Sequence, residues 1–201
     1  MSETNKDLSY LSLDDLNEDE KTVLTNYKTA SSGDMITGCF DINLNLEYNL
    51  HLDDMLNLKE KIVNLDNVFK RSPKLKSPIT VYRAINQRLH YPCENGKKFR
   101  NKGFWSTSLD RNSAYNFLKP QSSNCFGAIL ILNLPKNFPA YNMEKLNGTS
   151  SSGEDEILLQ RDILWTVKNR KNLDIDTIPI IPSIKEKFLN IVEITLEPEI
   201  P

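Results

Sequence analysis

The chain has 201 residues, with 25 Lys and Arg against 27 Asp and Glu, a formal net charge of -2 and three Cys. This length can bury a sizeable hydrophobic core, and we expect one domain over residues 1–201. A charge this close to neutral gives no global field that would hold a polyanion, so we expect no nucleic-acid partner. The basic run at residues 70–76 is interpreted as a solvated helix end.

The sequence predicts neither a membrane span nor a metal site. The longest apolar run, residues 128–132, is too short for a bilayer, and residues 1–10 lack the charged and then apolar pattern of a signal peptide. Cys39, Cys93 and Cys125 are widely spaced and form no metal-binding cluster with the two His. We therefore expect reduced thiols, no membrane partner and no metal, and a protein that acts in the cytoplasm of the cell that makes it or, if it is delivered, of a host cell. We also expect a monomer.

The first third of the chain has helical periodicity. Apolar residues over 13–27 fall close to one stripe, and acidic residues over 14–20 would complement the dipole of the opening turns. The spacing predicts a second helix near residues 35–39 and a third over 52–69. Together these helices form a lead-in that extends to about residue 76.

From Pro78 onward the segments are short, rich in β-branched and aromatic residues, and bounded by Gly, Pro, Asn and Ser. The predicted strands are 79–85, 103–108, 126–134, 154–159, 162–167 and 188–196, with a brief helix over 110–118. In the last strand, Glu193 and Thr195 alternate with apolar residues, which is typical of a half-exposed strand. Helices followed by a strand-rich body over 77–201 indicate the α+β class.

Three short motifs arrive in a fixed order in the strand-rich half. They are Arg83 followed by Ala84, the triplet Ser106-Thr107-Ser108 after Phe104 and Trp105, and Glu154-Asp155-Glu156 before an apolar run. The two aromatic residues are interpreted as core. The spelling Glu-x-Glu also occurs at residues 18–20 and 197–199, but there it stands in a helix start and in a Pro-broken tail. Glu154 and Glu156 instead open a hydrophobic strand behind the Ser- and Gly-rich loop at 147–153.

The two acids of the third motif are expected to face one cleft, because residues two apart on a strand point to the same side. Neighbouring carboxylates raise at least one pKa, so such a pair persists on a wet surface or where a cationic partner arrives. An ordinary acidic surface pair is the alternative to a functional site.

Taken together, the three motifs resemble those of the arginine-specific mono-ADP-ribosyltransferases, and most closely the single-domain bacterial toxin and viral type. The first helix, with Leu16, Glu20, Leu24 and Tyr27, is also similar to the helical lead-in of the toxin enzymes. The resemblance extends over residues 13–196. It implies two antiparallel sheets packed as a β-sandwich around an NAD cleft, with NAD consumed as a substrate, and a target protein that carries the acceptor arginine.

The resemblance also implies a role for the first two motifs. Arg83 would bind the NAD pyrophosphate, since a planar guanidinium grips phosphate oxygens with two donors. The Ser-Thr-Ser strand would form the floor of the nicotinamide-ribose pocket, where Ser106 bonds the catalytic Glu and Thr107 and Ser108 complete the floor. Ala84 replaces a Gly of many family members, whose main chain binds the nicotinamide carboxamide.

The acids would carry the chemistry. Glu156 would bind the ribose and stabilise the oxocarbenium-like charge that develops as nicotinamide leaves. Glu154 would orient the acceptor arginine and take its proton, because a protonated guanidinium is a poor nucleophile. Tyr27 is expected to stack near the NAD site, and Lys119 to contact phosphate from the loop over 119–124.

Three other functions remain open at this point. Transfer to water would make the protein an NAD glycohydrolase, and loss of catalysis would leave a module that binds NAD or a partner protein. An unrelated α+β interaction module with accidental motif matches is the third.

Overall fold

A computed structural model describes residues 13–28, 42–43, 46–47, 58–86, 94–120, 123, 125–143, 155–180 and 182–199. The predicted helix at 35–39, the loop at 147–153 and Glu154 lie outside these described residues. The chain divides into two compact units that interleave along the sequence. The first comprises Met1–Ser77, Asn101–Trp105 and Lys136–Asp162, and the second Pro78–Arg100, Ser106–Pro135 and Ile163–Pro201. Within the described ranges, no helix is both long enough and apolar enough to cross a bilayer.

The helices are α1 (Glu18–Lys28), α2 (Leu58–Arg71), α3 (Arg111–Tyr115) and α4 (Pro182–Lys185), and short 3-10 turns lie at Leu13–Asp15 and Ile175–Thr177. The strands are β1 (Ile79–Asn86), β2 (Lys98–Arg100), β3 (Trp105–Ser108), β4 (Cys125–Leu134), β5 (Ala140–Asn142), β6 (Glu156–Leu159), β7 (Leu164–Asn172) and β8 (Phe188–Pro198). All six predicted strands are therefore present with shifted ends. The short strands β2 and β5 are absent from the prediction.

Helix α1 begins later than the apolar stripe indicates, because Asn17 and Glu20 cap it. The Asn17 side chain accepts a hydrogen bond from Glu20 N at 2.9 Å, and Glu20 Oε2 accepts one from Asn17 N at 2.9 Å. This reciprocal pair satisfies two main-chain donors of the first turn. Residues 14 and 15, expected in the opening turns of this helix, belong instead to the preceding 3-10 turn. Glu20 is buried and also binds the guanidinium of Arg71 at the end of α2.

The apolar faces of α1 and α2 form the core of the first unit together with Phe104. The Phe104 ring stacks on Phe69 at a centroid distance of 5.7 Å and meets the Tyr27 ring edge-on at 6.3 Å. Phe104 and Trp105 are both buried, which confirms their interpretation as core residues. The buried members of this cluster are Leu16, Val23, Leu24, Tyr27, Ile42, Leu58, Ile62, Leu65, Val68, Phe69, Phe104, Tyr141, Met143 and Leu158.

Strand β6 pairs antiparallel with β5 in the first unit, from Asn142 opposite Ile157 to Ala140 opposite Leu159. All four residues of β6 are buried. The prediction that this strand runs through residue 155 is wrong, since Asp155 has a left-handed backbone with a φ of 46° and β6 begins at the next residue. A left-handed residue interrupts the pleat, so the alternation of side-chain faces on β6 does not extend back through position 155.

Six strands of the second unit follow the order β2-β7-β8-β4-β1-β3. Neighbours are antiparallel except β4 and β8, which run parallel, so the expected all-antiparallel body is wrong at this pair. Pairing of β1 with β4 extends from Ile79 opposite Leu134 to Asn86 opposite Gly127. Arg83 thereby lies opposite Leu130 in the middle of a long ladder.

The middle of strand β8, residues 191–194, is buried on both faces, contrary to the half-exposed strand that its alternation predicts. Glu193 is only 5% exposed. Its carboxylate pairs with Lys171 Nζ at 2.6 Å and with the guanidinium of Arg111. A buried carboxylate is tolerated when it is paired, and these two cations explain why an acidic residue occupies the interior.

Candidate functional site

Arg83 lies on a central strand of the second unit, so the pairing of that strand fixes the position of its main chain. It lies on β1 between β4 and β3, and the neighbouring side chains of Val81 and Ile85 are buried. The Arg83 side chain is half-buried, and its Nη1 donates a hydrogen bond to the main-chain oxygen of Ser106 at 2.6 Å. The structure therefore brings together the first residues of two motifs that are 23 positions apart.

The Ser-Thr-Ser motif forms most of β3, as predicted. Ser106 is half-buried, whereas Thr107 and Ser108 are each 5% exposed. Ser108 Oγ accepts a hydrogen bond from Asp110 N at 3.0 Å, which fixes the turn that follows the strand. Of the three motif residues, Ser106 is thus the most accessible to a ligand.

Asp110 caps helix α3 directly after this turn. Its carboxylate accepts hydrogen bonds from Asn112 N at 3.1 Å and from Ser113 N at 2.9 Å. Burial acts to raise the pKa of Asp110, but the hydrogen bonds from Asn112 and Ser113 outweigh it and hold the pKa below its ordinary value. The cap anchors the chain immediately behind β3.

Glu156 is the first residue of β6 and is 9% exposed. The left-handed Asp155 precedes it and three buried apolar residues follow it, so its main chain is bounded by a backbone turn and a core strand. Glu156 belongs to the first unit, and Arg83 and Ser106 to the second. The other predicted acid, Glu154, lies outside the described residues.

The remaining predicted site residues have diverse surroundings. Tyr27 is 1% exposed; its hydroxyl donates to Phe104 O at 3.1 Å and accepts from Asn43 Nδ2 at 2.8 Å. Ala84 packs against the buried cluster of the second unit. Lys119 is exposed, with its ammonium 6.0 Å from the ring centroid of Phe117. The described contacts of Tyr27 are those of a core residue, and its stacking on NAD stays a prediction.

Sequence patterns miss the polar side chains that fix the start of β3. Asn101 is fully buried, and its Nδ2 donates to Gly103 O at 2.8 Å and to Gln160 O at 2.9 Å. The only signal for it in the sequence is a polar residue placed two positions before a Gly at a strand start.

In the part of the chain that the structure describes, no three His, Cys, Asp or Glu side chains are grouped to hold a metal ion.

A family model described as ADP-ribosyltransferase exoenzyme matches residues 3–181 of the chain. A curated relative from Enterococcus faecalis, named NAD(+)-arginine ADP-ribosyltransferase EFV, is 33% identical over 114 residues. That match covers 56% of this chain and only 22% of the relative. The chain thus spans less than a quarter of the length of this relative.

Solved structures of ADP-ribosylating toxins have the same fold. The toxin Plx2a from Paenibacillus larvae is 19% identical with a TM-score of 0.65, and the match covers 92% of this chain and 88% of that one. The toxin BECa of a C. perfringens binary enterotoxin, solved with NADH, is 20% identical with a TM-score of 0.65; the match covers 92% and 44% respectively. At these identities the likeness concerns the fold, and it confirms the predicted α+β class.

Proposed function

This chain belongs to the ADP-ribosyltransferase exoenzyme family, and we propose that it transfers ADP-ribose from NAD to an arginine side chain of a protein, releasing nicotinamide. Enzymes of this family use NAD as a substrate. The arginine acceptor is supported by the name of the Enterococcus faecalis relative and by the Glu-x-Glu motif of this sequence.

The observation that carries the proposal is the hydrogen bond from Arg83 to Ser106 O at 2.6 Å. It fixes a half-buried guanidinium beside the accessible hydroxyl residue of β3. A guanidinium held on a strand is preorganised, so it can bind the NAD pyrophosphate with little loss of side-chain entropy. The main chain of Ala84 follows directly and would offer its N-H and C=O to the nicotinamide carboxamide.

Glu156 would stabilise the charge that develops during cleavage. The bond between the ribose C1' and the nicotinamide nitrogen breaks, nicotinamide leaves with the electron pair, and positive charge spreads over C1' and the ring oxygen. A carboxylate that binds the ribose hydroxyl is favoured more strongly in this state than in the ground state. Burial of Glu156 supports the role, because electrostatic stabilisation is stronger where water is excluded.

Glu154 would serve the second half of the reaction. A nitrogen of the acceptor guanidinium forms the new bond to C1', and the proton that it loses passes to the Glu154 carboxylate. This proton transfer is needed because the acceptor is fully protonated near neutral pH, its pKa being above about 12. The hydroxyl of Ser106 would fix the rotamer of Glu156, while Thr107 and Ser108 support the strand and Lys119 contacts phosphate.

The test is incubation of the protein with labelled NAD and a cell lysate, followed by mass spectrometry to locate the label. Glu156→Gln should lower both nicotinamide release and labelling on the order of 100- to 1,000-fold, since a charge-stabilising contact is lost. Glu154→Gln should abolish arginine labelling but retain some release of nicotinamide. Glu197→Gln is the matched control, because Glu197 belongs to the Glu-x-Glu spelling at the end of β8 and pairs with Lys168 at 3.2 Å.

Two results would replace the proposal by another function. Free ADP-ribose without labelled protein would assign the protein as an NAD glycohydrolase. Calorimetry that detects no NAD binding to the folded wild type would leave a module without this enzymatic activity. Equal loss of both activities in Glu154→Gln would refute the separate role of Glu154.

A further inference from the structure

The four residues that precede β3, Asn101 to Phe104, form a segment held by side chains at both of its ends. We name it the clamp segment. Asn101 bonds to the main chain at Gly103 and at Gln160, the residue that follows β6. In addition, Asp162 N donates to Asn101 O at 2.7 Å. Two bonds therefore connect the start of the clamp segment to the chain just beyond β6.

The other end of the clamp segment is held by Tyr27 and Asn43. Asn43 Oδ1 accepts a hydrogen bond from Phe104 N at 2.8 Å, and Tyr27 donates to Phe104 O at 3.1 Å. Asn43 Nδ2 in turn donates to the Tyr27 hydroxyl at 2.8 Å. Both main-chain polar groups of Phe104 are thus satisfied by side chains that bond to one another, and the Phe104 ring is packed between two aromatic rings.

Gly103 shows how closely the clamp segment is fitted. A Cβ at this position would lie 2.6 Å from Asn43 Oδ1 and 3.1 Å from Asn43 Cγ. The Asn43 side chain cannot move aside without losing its bonds to Phe104 and Tyr27. The segment therefore has little freedom to shift relative to the residues that bind it.

The clamp segment is connected to both strands that carry proposed catalytic residues. Trp105 joins it directly to Ser106, and Gln160 stands at the end of the four-residue strand that Glu156 begins. The Asn101 amide uses both of its donors on Gly103 O and Gln160 O. The buried Asn101 side chain thus connects the chain that enters β3 to the chain that leaves β6.

We propose that Asn101, supported by the Tyr27 and Asn43 pair, is a positioning residue: it holds the main chain that leads to Ser106 to the chain just beyond β6, the strand that begins with Glu156, for cleavage of NAD. This inference rests on the proposed function. Misplacing a reacting group by about 1 Å can cost about 100-fold in rate, so a shift of the clamp segment should slow the chemical step. The main chain of Arg83 should keep its position, because β1 pairs with β4 in the second unit, so NAD binding should change less than the chemical step.

The deciding variant is Asn101→Asp, which has the same shape but places a carboxylate oxygen where the amide nitrogen faces two carbonyl oxygens. We expect kcat for nicotinamide release to fall about 10- to 100-fold with the KM for NAD unchanged within about threefold. Asn112→Asp is the control, since Asn112 is exposed on α3, and it should keep wild-type kcat. Circular dichroism at the assay temperature establishes that each variant is folded.

Tyr27→Phe provides a second measurement should Asn101→Asp fail to fold. It removes one hydroxyl and keeps the ring, so kcat should fall while KM stays constant. A rise in KM at constant kcat would instead assign Tyr27 to NAD contact and overturn its positioning role. Wild-type kcat in either folded variant would overturn the inference.

The two proposals fail in different ways. A wild type that releases nicotinamide without labelling arginine refutes only the acceptor. A wild type that releases none refutes the proposed function and the positioning role together. An active wild type with a fully active Asn101→Asp refutes the positioning role alone.

Discussion

The two units hold their candidate residues by different means. In the second unit, Arg83 occupies a strand whose main chain is paired with β4 from Ile79 to Asn86. In the first unit, the chain leading to Ser106 is held by the side chains of Tyr27, Asn43 and Asn101. A position set by main-chain pairing tolerates side-chain replacement, whereas a position set by buried polar side chains does not. The comparison predicts that mutations separate chemistry from folding in the second unit more cleanly than in the first.

Arg83→Lys should have the largest effect, and it tests whether a side chain of the second unit can be replaced with loss of activity but without loss of stability. Lysine keeps the charge but lacks the fork of donors, and hydrogen bonds to charged groups contribute about 1.5–3 kcal/mol. We expect kcat/KM for NAD cleavage to fall about 10- to 100-fold, since each 1.4 kcal/mol is about tenfold. The melting temperature should change by less than about 4 °C, because the ladder of β1 stays intact. Kinetics and thermal melts of the same preparation measure both effects.

Arg170→Lys is the matched control for that replacement. Arg170 is exposed on β7 of the same unit, and its replacement should leave both activity and melting temperature at wild-type values. Unfolding of Arg83→Lys would mean that the guanidinium bond to Ser106, and not the ladder, fixes the strand. Full activity of Arg83→Lys would remove Arg83 from the NAD site.

The same contrast explains which parts of the fold the sequence could predict. Strands β1 and β4 were predictable to within one residue, because β1 is a short β-branched and aromatic segment after a Pro and β4 contains a continuous apolar run. The parallel direction of β8 beside β4 could not be predicted, since the alternation of side chains carries no information about the direction in which a strand runs. The exposed end of β7, residues 168–172, is held by main-chain pairing with β8, and a ladder leaves no hydrophobic signal.

For the candidate site, the order of the motifs predicted which residue types to expect but not their contacts. That Arg83 would bond to a main-chain oxygen, and at Ser106, depends on the register of three strands. The burial of Glu193 could not be read from β8 alone, because its two cationic partners come from α3 and β7. The role of Asn101 was equally hidden, since its partner Gln160 is 59 residues away.

Asp155 offers a sharper test within the first unit, where backbone geometry and not a ladder precedes Glu156. Its φ of 46° is strained for a β-branched residue by about 1–2 kcal/mol. We expect Asp155→Val to lower arginine labelling about tenfold, because the chain before Glu156 must adopt another conformation. Asp155→Gly and Asp155→Asn, which tolerate this region, should retain activity. Equal activity of all three variants would show that the left-handed conformation has no part in catalysis.

The pair between Arg161 and Asp66 tests whether side chains also stabilise the first unit. Arg161 Nε and Nη2 donate to the two Asp66 oxygens at 3.0 and 2.7 Å, and each side chain is about three-quarters buried. Hydrogen bonding to Asp66 raises the pKa of Arg161 above its ordinary value. A double-mutant cycle with Arg161→Met and Asp66→Asn should give a coupling of about 1 kcal/mol in urea unfolding, partly screened by solvent.

The exposed pair of Lys21 and Glu18 on α1 is the control for that cycle. It should give a smaller coupling that disappears at high salt, since surface pairs are screened. A coupling between Arg161 and Asp66 no larger than this control would mean that apolar packing alone stabilises the first unit.

The smallest expected effect belongs to Asp110, a side-chain cap in the unit that the ladder dominates. Its pKa is lower in the folded protein, so its charged form stabilises the fold above the unfolded pKa of about 3.9. That contribution is lost as the pH falls through the folded pKa. Asp110→Ala should therefore cost about 0.5–1 kcal/mol at pH 7 and less at pH 3. Asp110→Asn keeps a capping side chain without the charge, so its smaller cost should not vary with pH. Equal costs of Asp110→Ala at both pH values would show that the charge of the carboxylate adds nothing to the stability that this cap provides.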